Sequence, residues 1–285
     1  MTVLEVIQKS ADFLLKKGVD SPRLQTELLL AHILKLPRMK LYLNFERTLS
    51  EAELDAVREF VKRRGQREPL QHITGSTSFC GLEMAVNRNV LVPRPETELL
   101  AEAGWEFLST LNPQPSTALD FGTGSGCIAI ALAVKCPATR IVALDASADA
   151  LAVASQNAAC NGVSERIEFF HGDGFTALTP GFCFDLIVSN PPYIPSAEIA
   201  TLQTEVRDFD PHEALDGGVD GLDFYRLLAA QAAAYLRPGG KIMLEFGDGQ
   251  AAAIRNLFAV PGWSVEAVRT DYTQRDRILI ARREG

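Results

Sequence analysis

The chain has 285 residues, of which 47% are hydrophobic, and its formal net charge is −8 at pH 7. This length and apolar content suit one large or two ordinary domains, and the acidic balance argues against a protein whose main affinity is for nucleic-acid phosphates. The five cysteines include no CxxC pair, and no stretch approaches the ~18 apolar residues of a membrane span. With no signal-peptide pattern at the N-terminus, these features predict a cytoplasmic protein with reduced thiols, no bound metal and no membrane association.

The first 72 residues are predicted to form a small helical bundle. Helix signals occur at residues 3–17, 22–33, 38–43 and 51–64. Thr2 and Ser21 are expected to cap the first two helices, and Pro22 suits the first position of the second. Ser50 and Glu53 match the capping box that begins the fourth helix.

A basic run, Lys62-Arg63-Arg64 with Arg67, ends the last of these helices. One interpretation is a solvated helix end, where cations are favoured by the negative end of the helix dipole. The other is a docking patch for an acidic partner or for RNA. The position at a helix end favours the first interpretation.

Residues 73–95 are predicted to form a hairpin linker. Gly75, Gly81 and the stretch 76–86 have the pattern of a short β-hairpin. The next segment, residues 93–98, contains two prolines, an arginine and two carboxylates, and it leads into a helix whose first turn Glu96 or Thr97 can serve. This segment is either a rigid linker or part of a functional site.

From residue 116 onward, strand patterns alternate with helix patterns. Strands are predicted at residues 117–121, 141–145, 167–170, 184–189, 241–246, 263–270 and 277–281. Helices are predicted at residues 127–134, 147–161, 221–236 and 250–257. Such alternation predicts an α/β fold with a Rossmann-like, mostly parallel sheet and helices on both faces. The last two strands are close enough along the chain to pair antiparallel.

A glycine-rich turn, Gly122-Thr123-Gly124-Ser125-Gly126, joins the first of these strands to a helix. Such a turn lets a ligand approach the backbone, and Asp145, ending the next strand, can accept from both hydroxyls of a ribose. The spacing lacks the third glycine of the NAD fingerprint, where Cys127 stands, and the lysine of a phosphate loop. Asp120 would repel a pyrophosphate but suits an ammonium or a sulfonium. Together these residues predict S-adenosylmethionine as the cofactor.

The tetrapeptide Asn190-Pro191-Pro192-Tyr193 follows a predicted buried strand. Ligands of open α/β sheets bind at the carboxyl ends of strands. Asn190 offers a carbonyl acceptor and an NH2 donor, the prolines stiffen the turn and leave its carbonyls free to accept, and Tyr193 offers a face for stacking. The tetrapeptide suits a planar amide or amino group, although Asn-Pro is also a common turn signal.

Four motifs together carry a resemblance that covers essentially the whole chain. They are Pro93–Glu98, Asp120–Gly126, Asn190–Tyr193 and Glu205–Phe209, the last followed by Pro211, Ala214, Leu215, Gly217 and Gly218. With them, the chain resembles class I S-adenosylmethionine-dependent methyltransferases, and more closely the HemK/PrmC-type N5-glutamine methyltransferases of peptide-chain release factors.

The resemblance implies methyl transfer to the glutamine of a Gly-Gly-Gln tripeptide in class 1 release factors, with S-adenosylhomocysteine as the product. It implies that residues 1–72 dock the protein substrate and that residues 96–285 form the methyltransferase domain. It also places Asp173 and its successors by the adenine, where some members carry a tryptophan and this chain has Gly174 and Phe175.

The expected catalytic and substrate-binding residues are Asn190, Pro191, Pro192 and Tyr193. The expected cofactor-binding residues are Asp120, Gly122, Thr123, Gly124, Ser125, Gly126, Asp145, Asp173, Gly174, Phe175 and Asn190. An adenine-N6 or guanine-N2 nucleic-acid methyltransferase is the alternative, but it needs a flipped base and a groove of cations. The acidic charge and the lack of an inserted recognition domain weigh against it, and the Asn190 motif weighs against a non-catalytic binding protein.

Overall fold

The computed structural model describes residues 1–111, 115–178 and 181–285, and these form two compact units. Unit 1 consists of Met1–Ser76 together with Gln203–Phe209, and unit 2 consists of Thr77–Leu202 and Asp210–Gly285. The expected functional division at residues 1–72, 73–95 and 96–285 stays a prediction. Within the described ranges, no helix has the length and apolar character needed to cross a bilayer.

Unit 1 begins with five helices, where four were expected. They are α1 (Val3–Lys16), α2 (Pro22–Leu34), α3 (Arg38–Leu41), α4 (Glu51–Gly65) and α5 (Leu70–Thr74). The capping boxes at Thr2 and Ser50 are confirmed. Ser21 occupies the N-cap of α2, but its side chain makes no capping bond because its backbone is left-handed, with φ 48°. Helix α5 was missed because five residues are too few to show a helical period.

The basic run belongs to an ion-pair network inside unit 1. Arg64 is 4% exposed, and it donates to Glu205 at 2.7 Å. Arg67 donates to the same carboxylate at 2.6 Å, while Arg63 pairs with Glu68 at 2.6 Å. The interpretation as a solvated helix end is therefore wrong for Arg64 and Arg67. These two arginines hold residues 203–209 within unit 1, where Glu205 serves as a structural anion.

The remaining helices follow in chain order. They are α6 (Pro95–Thr110), α7 (Cys127–Lys135), α8 (Ala148–Cys160), α9 (Thr204–Arg207, in unit 1), α10 (Asp223–Gln231) and α11 (Ala251–Leu257). Helix α10 is shorter than expected because a 3-10 turn, Ala232–Tyr235, replaces its predicted C-terminal end.

The strands form a two-stranded sheet and a seven-stranded sheet. They are β1 (Ser76–Phe79), β2 (Leu82–Ala85), β3 (Ser116–Phe121), β4 (Thr139–Asp145), β5 (Ile167–His171), β6 (Phe184–Ser189), β7 (Leu236–Glu245), β8 (Trp263–Thr270) and β9 (Asp276–Arg283). The large sheet has the order β5-β4-β3-β6-β7-β9-β8. Strands β3 to β7 pair in parallel, and β9 pairs antiparallel with β7 and with β8. The predicted α/β fold class is confirmed.

Both faces of the seven-stranded sheet are buried, which explains the continuous apolar runs of its central strands. In β6, Leu186 and Val188 join one core cluster with residues of α6 and α7. Ile187 points to the other face and joins a second cluster with residues of α10 and α11. The order of strands along the sheet reverses between β3 and β6, and at such a point the loops after the strands separate and leave a crevice.

Candidate active site

A cleft of about 690 Å³ opens in unit 2 at the carboxyl ends of β3, β4 and β6. The predicted site residues on its walls are Gly122, Thr123, Gly124, Ser125, Asp145, Asp173, Gly174, Asn190 and Pro192. Five other predicted site residues do not line the cleft as the described part of the chain forms it: Asp120, Gly126, Phe175, Pro191 and Tyr193. The fold therefore gathers most of the predicted residues into one cavity and places five of them behind its surface.

The glycine turn leaves open space beside its backbone. Gly122 and Gly124 have φ angles of 74° and 54°, and a Cβ atom at either position would meet nothing within 4 Å. The N–H groups of Gly122 and Thr123 both donate to the carbonyl of Leu144, at 2.8 and 3.0 Å, and so tie the turn to β4. The turn can therefore receive a ligand against bare backbone, as the sequence predicts.

Asp120 supports this turn from behind. It is fully buried, and its Oδ2 accepts from the Thr123 hydroxyl at 2.7 Å and from the Ala129 N–H at 3.0 Å. Ala129 lies in the first turn of α7, whose N-cap is a glycine without a capping side chain, so Asp120 takes over the capping role. Burial raises the pKa of Asp120 to about 7, against the opposing effect of these two hydrogen bonds.

Asp145 lies at the end of β4 with its carboxylate on the cleft wall. Its Oδ2 accepts from the Gly124 N–H at 2.8 Å, and its Oδ1 accepts from the Ser147 N–H at 2.9 Å. A carboxylate offers about four acceptor positions, so each oxygen can still accept from a ligand hydroxyl. The geometry suits the ribose contact that the sequence predicts.

The residues expected by the adenine are divided between the cleft and the core. Asp173 and Gly174 line the cleft, whereas Phe175 is 1% exposed and its ring stacks on Tyr235 with centroids 4.6 Å apart. Phe224 and Leu227 of α10 lie on the cleft wall instead. Sequence reasoning missed these two residues, because they lie about 50 positions beyond Asp173 and no local pattern indicates which face of their helix borders the cleft.

The Asn190 tetrapeptide presents two residues to the cleft and turns two away. Asn190 donates from Nδ2 to the Thr97 hydroxyl at 3.1 Å, and Pro192 lines the wall. Pro191 is buried. The Tyr193 ring packs so closely on Gly247 that a Cβ there would lie 2.9 Å from it, and burial raises the pKa of Tyr193 to about 12.

Two polar residues beside Asn190 were not named among the predicted site residues. Thr97 lines the cleft; it was expected in the first turn of α6, within the segment 93–98 for which a site role was left open. Glu245 was expected only as a strand residue. Glu245 is 2% exposed, and burial raises its pKa to about 7, an effect that the neighbouring Thr97 and Asn190 side chains oppose. A carboxylate that ends a buried apolar strand was the available signal, as it was for Asp145.

Two further carboxylates of unit 2 have structural partners. Arg94 donates to buried Asp210 at 2.8 Å, and Asp185 accepts from the Thr117 N–H at 2.8 Å. In the part of the chain that the structure describes, no group of three or more His, Cys, Asp or Glu residues is arranged to hold a metal ion.

Two family patterns match the chain. A PrmC N-terminal domain matches residues 5–75, and a methyltransferase small domain matches residues 102–206. Release factor glutamine methyltransferases from Geobacter sulfurreducens and Chlorobaculum tepidum are each 45% identical, over 98% of this chain and 95% and 96% of theirs. A T. thermophilus 16S rRNA N2 G1207 methyltransferase, solved with AdoMet and guanosine, is 21% identical over 73% of this chain and 50% of its own, with a TM-score of 0.50, a likeness in fold alone.

The sheet order, the cleft beside the glycine turn and the matched domain define a methyltransferase of the α/β class. The alignments with these relatives span the helical region and the sheet alike. The chain belongs to the release factor glutamine methyltransferase family.

Proposed function

We propose that this protein transfers a methyl group from S-adenosylmethionine to N5, the side-chain amide nitrogen, of the glutamine in the Gly-Gly-Gln tripeptide of class 1 release factors. Such a modification would modulate translation termination in the cytoplasm. The observation that carries this proposal is the Asn190 amide on the cleft wall, with its NH2 end bonded to Thr97 at 3.1 Å. Its oxygen is left to accept an N–H of a planar amide.

The cleft residues fit S-adenosylmethionine. The open backbone at Gly122 and Gly124 would receive the methionine part, and Asp145 would accept from the ribose. Asp173 and Gly174 would lie by the adenine, with Leu227 on the same wall, 3.9 Å from where a Cβ of Gly174 would stand. When bound, this cofactor supplies a methyl group on a sulfonium with a neutral leaving group. Asp120, Gly126 and Phe175 would support the cofactor residues from behind.

The chain's own work is to orient the glutamine amide, whose nitrogen is a poor nucleophile because its lone pair is delocalised. Asn190 Oδ1, on the cleft wall, would accept one of its N–H bonds and favour a pyramidal nitrogen. The Pro191 carbonyl, which the sequence predicts as the second acceptor, belongs to a buried residue that does not line the cleft. Pro192 would border the acceptor, while Tyr193 would hold the turn through its packing on Gly247. Orientation of this kind can lower a barrier by up to about 7–11 kcal/mol. No general base is required before transfer, since the methylated amide cation loses its proton readily.

Unit 1 would dock the release factor. In support, the PrmC N-terminal domain match covers residues 5–75, nearly the whole first segment of this unit. A groove of about 300 Å³ in unit 1 is lined by apolar residues of α1 and α4, including Val6, Phe13 and Val57. Apolar grooves rimmed by polar residues are typical of protein-binding surfaces.

The test is methyl transfer from labelled S-adenosylmethionine to three substrates: a purified release factor, its Gln→Ala variant in Gly-Gly-Gln, and duplex DNA. We expect label on the intact factor alone. Label on both factors equally would contradict the glutamine assignment. Label on DNA that weakens steeply with salt would favour a nucleic-acid substrate instead.

A further inference from the structure

A buried carboxyl group lies directly behind Asn190. Glu245 ends β7, and the register that pairs Ser189 with Leu244 places it beside Asn190 at the end of β6. Glu245 does not line the cleft, and within the described part of the chain its Oε2 has no hydrogen-bond partner. Because a buried polar atom without a partner is costly, this carboxyl calls for a reason beyond packing.

Thr97 connects this carboxyl to Asn190. It lies in the first turn of α6, is 3% exposed, and accepts from Asn190 Nδ2 at 3.1 Å. A hydroxyl has one proton, and the Thr97 oxygen already accepts from Asn190, so that proton is available for Glu245. The side chains of Thr97 and Asn190 both lie close enough to the Glu245 carboxyl to lower its pKa, against the effect of burial.

The two ends of the Asn190 amide have opposite hydrogen-bonding character but nearly the same shape. An ionised carboxylate only accepts, so Glu245 requires the NH2 end of Asn190 to face inward and the oxygen to face the cleft. If the amide were flipped, its NH2 group would meet the N–H groups of the substrate. Two hydrogen-bond donors would then face each other, and the substrate nitrogen would no longer be held in position by a hydrogen bond.

We propose that Glu245 and Thr97 are positioning residues that fix the Asn190 amide so that its oxygen, not its NH2 group, faces the glutamine substrate. The inference rests on the proposed function and deepens it. Glu245 does not line the cleft, so it acts through its neighbours rather than on the substrate. Thr97 lies on the cleft wall, and the role proposed for it is exerted through its bond to Asn190.

The surroundings of Glu245 keep its ionisation near neutral pH. The groups facing it are Glu96 of α6, Tyr193 of the turn, Tyr225 of α10 and Arg277 of β9. Arg277 is already paired with Asp271 at 3.2 Å. Burial raises the pKa of Glu245 to about 7. Glu245 therefore becomes an ionised carboxylate, which only accepts hydrogen bonds, as the pH rises through about 7. The rate of methyl transfer should rise over the same pH range.

The decisive variant is Glu245→Gln, which keeps the shape of the side chain but can donate to a flipped Asn190. We expect kcat to fall roughly 10- to 100-fold, as when the outer partners of a functional side chain are removed. KM for the release factor should stay within about twofold of the wild-type value, since the contacts that bind the ground state and the transition state equally are unchanged. The rise in kcat near pH 7 should disappear. Thr97→Val should lower kcat by a similar factor. Thr97→Ser keeps the hydroxyl and should have a kcat close to that of the wild type.

Asp185→Asn is the matched control, because Asp185 lies at the opposite end of β6 and bonds Thr117 rather than Asn190. Its kcat should match that of the wild type. If Glu245→Gln or Thr97→Val keeps wild-type kcat, or if Thr97→Ser falls as far as Thr97→Val, the positioning role is wrong. The Thr97 pair decides the matter if Glu245→Gln does not fold. A wild-type enzyme that fails to label the release factor would contradict the proposed function itself, a separate outcome.

Discussion

The cleft has two edges that are built in opposite ways. The glycine edge, residues 122–126 with Asp145, offers a ligand bare backbone that is tied to β4 by hydrogen bonds to Leu144. The amide edge, Asn190 with Thr97 and Glu245, offers a single side chain that is bonded to buried Thr97 and lies beside buried Glu245. One edge depends on main-chain geometry, and the other depends on which way an amide points.

This difference shows what each edge needs from the rest of the fold. A glycine turn can be specified by residues close in sequence, because glycine adopts the left-handed backbone angles that other residues avoid. An amide side chain fits its site in two orientations, which exchange its oxygen and its NH2 group. Only a partner that exclusively accepts or exclusively donates hydrogen bonds favours one orientation over the other. The partners of Asn190 come from α6 and β7, far away in sequence.

The largest effect is expected where the glycine edge meets the core. Phe175 was predicted to contact the cofactor, but its ring is stacked on Tyr235 and packed against Phe121. Phe175→Ala should lower the free energy of unfolding by about 3–5 kcal/mol, as for other buried aromatic residues. Folded protein at low temperature should bind S-adenosylmethionine nearly as the wild type does. Chemical denaturation and calorimetric titration measure the two quantities.

Leu227→Ala is the matched contrast for Phe175, because Leu227 is half-buried on the cleft wall beside Gly174. It should weaken cofactor binding by about tenfold or less, the effect of one apolar contact, with a smaller loss of stability than Phe175→Ala. Should Phe175→Ala weaken binding more than Leu227→Ala does, the ring of Phe175 would belong to the binding surface.

The next effect breaks the amide edge alone. Asn190→Ala removes the acceptor for the substrate amide, and losses of a positioned polar group cost about 2.7–4 kcal/mol, or roughly 100- to 1,000-fold in kcat. Single-turnover methylation of the release factor measures this loss. Cofactor affinity, measured by calorimetry, should stay within about tenfold, since the glycine edge is intact. Near-wild-type turnover in this variant would refute the role given to Asn190.

The contrast between the edges also explains what could be predicted from the sequence. Alternating strand and helix patterns were enough for the sheet, and the antiparallel last strands were confirmed in β8 and β9. The glycine turn, Asp145 and Asn190 were found because each follows a buried strand, and carboxyl ends of parallel strands meet at one edge. Their placement on one cleft follows from that rule.

What escaped prediction depends on contacts between distant segments. The Thr97 hydroxyl could be recognised as a capping candidate, but its bond to Asn190 exists only once α6 packs beside β6. The exposure of Arg64 was misjudged for the same reason, since Glu205 lies 141 residues away. A local pattern carries no information about partners at that separation.

The smallest and most diagnostic effect separates two glycines of the glycine edge. Both Gly122 and Gly126 have left-handed backbones, with φ 74° and 80°, so alanine at either should cost about 1–2 kcal/mol of stability. A Cβ at Gly126 would also lie 3.0 Å from the Ala154 Cβ and 3.2 Å from its Cα, whereas one at Gly122 would enter open space on the cleft wall.

Gly126→Ala should therefore be the less stable of the two variants, and Gly122→Ala should bind S-adenosylmethionine the more weakly. Thermal unfolding without ligand ranks the two stabilities, and titration well below both transitions ranks the two affinities. If the less stable variant also binds S-adenosylmethionine more weakly, both variants would impair binding only by destabilising the fold. Opposite rankings would separate the two tasks of the turn, because the cofactor would then be meeting bare backbone at Gly122 while Gly126 serves the packing of α7 against α8.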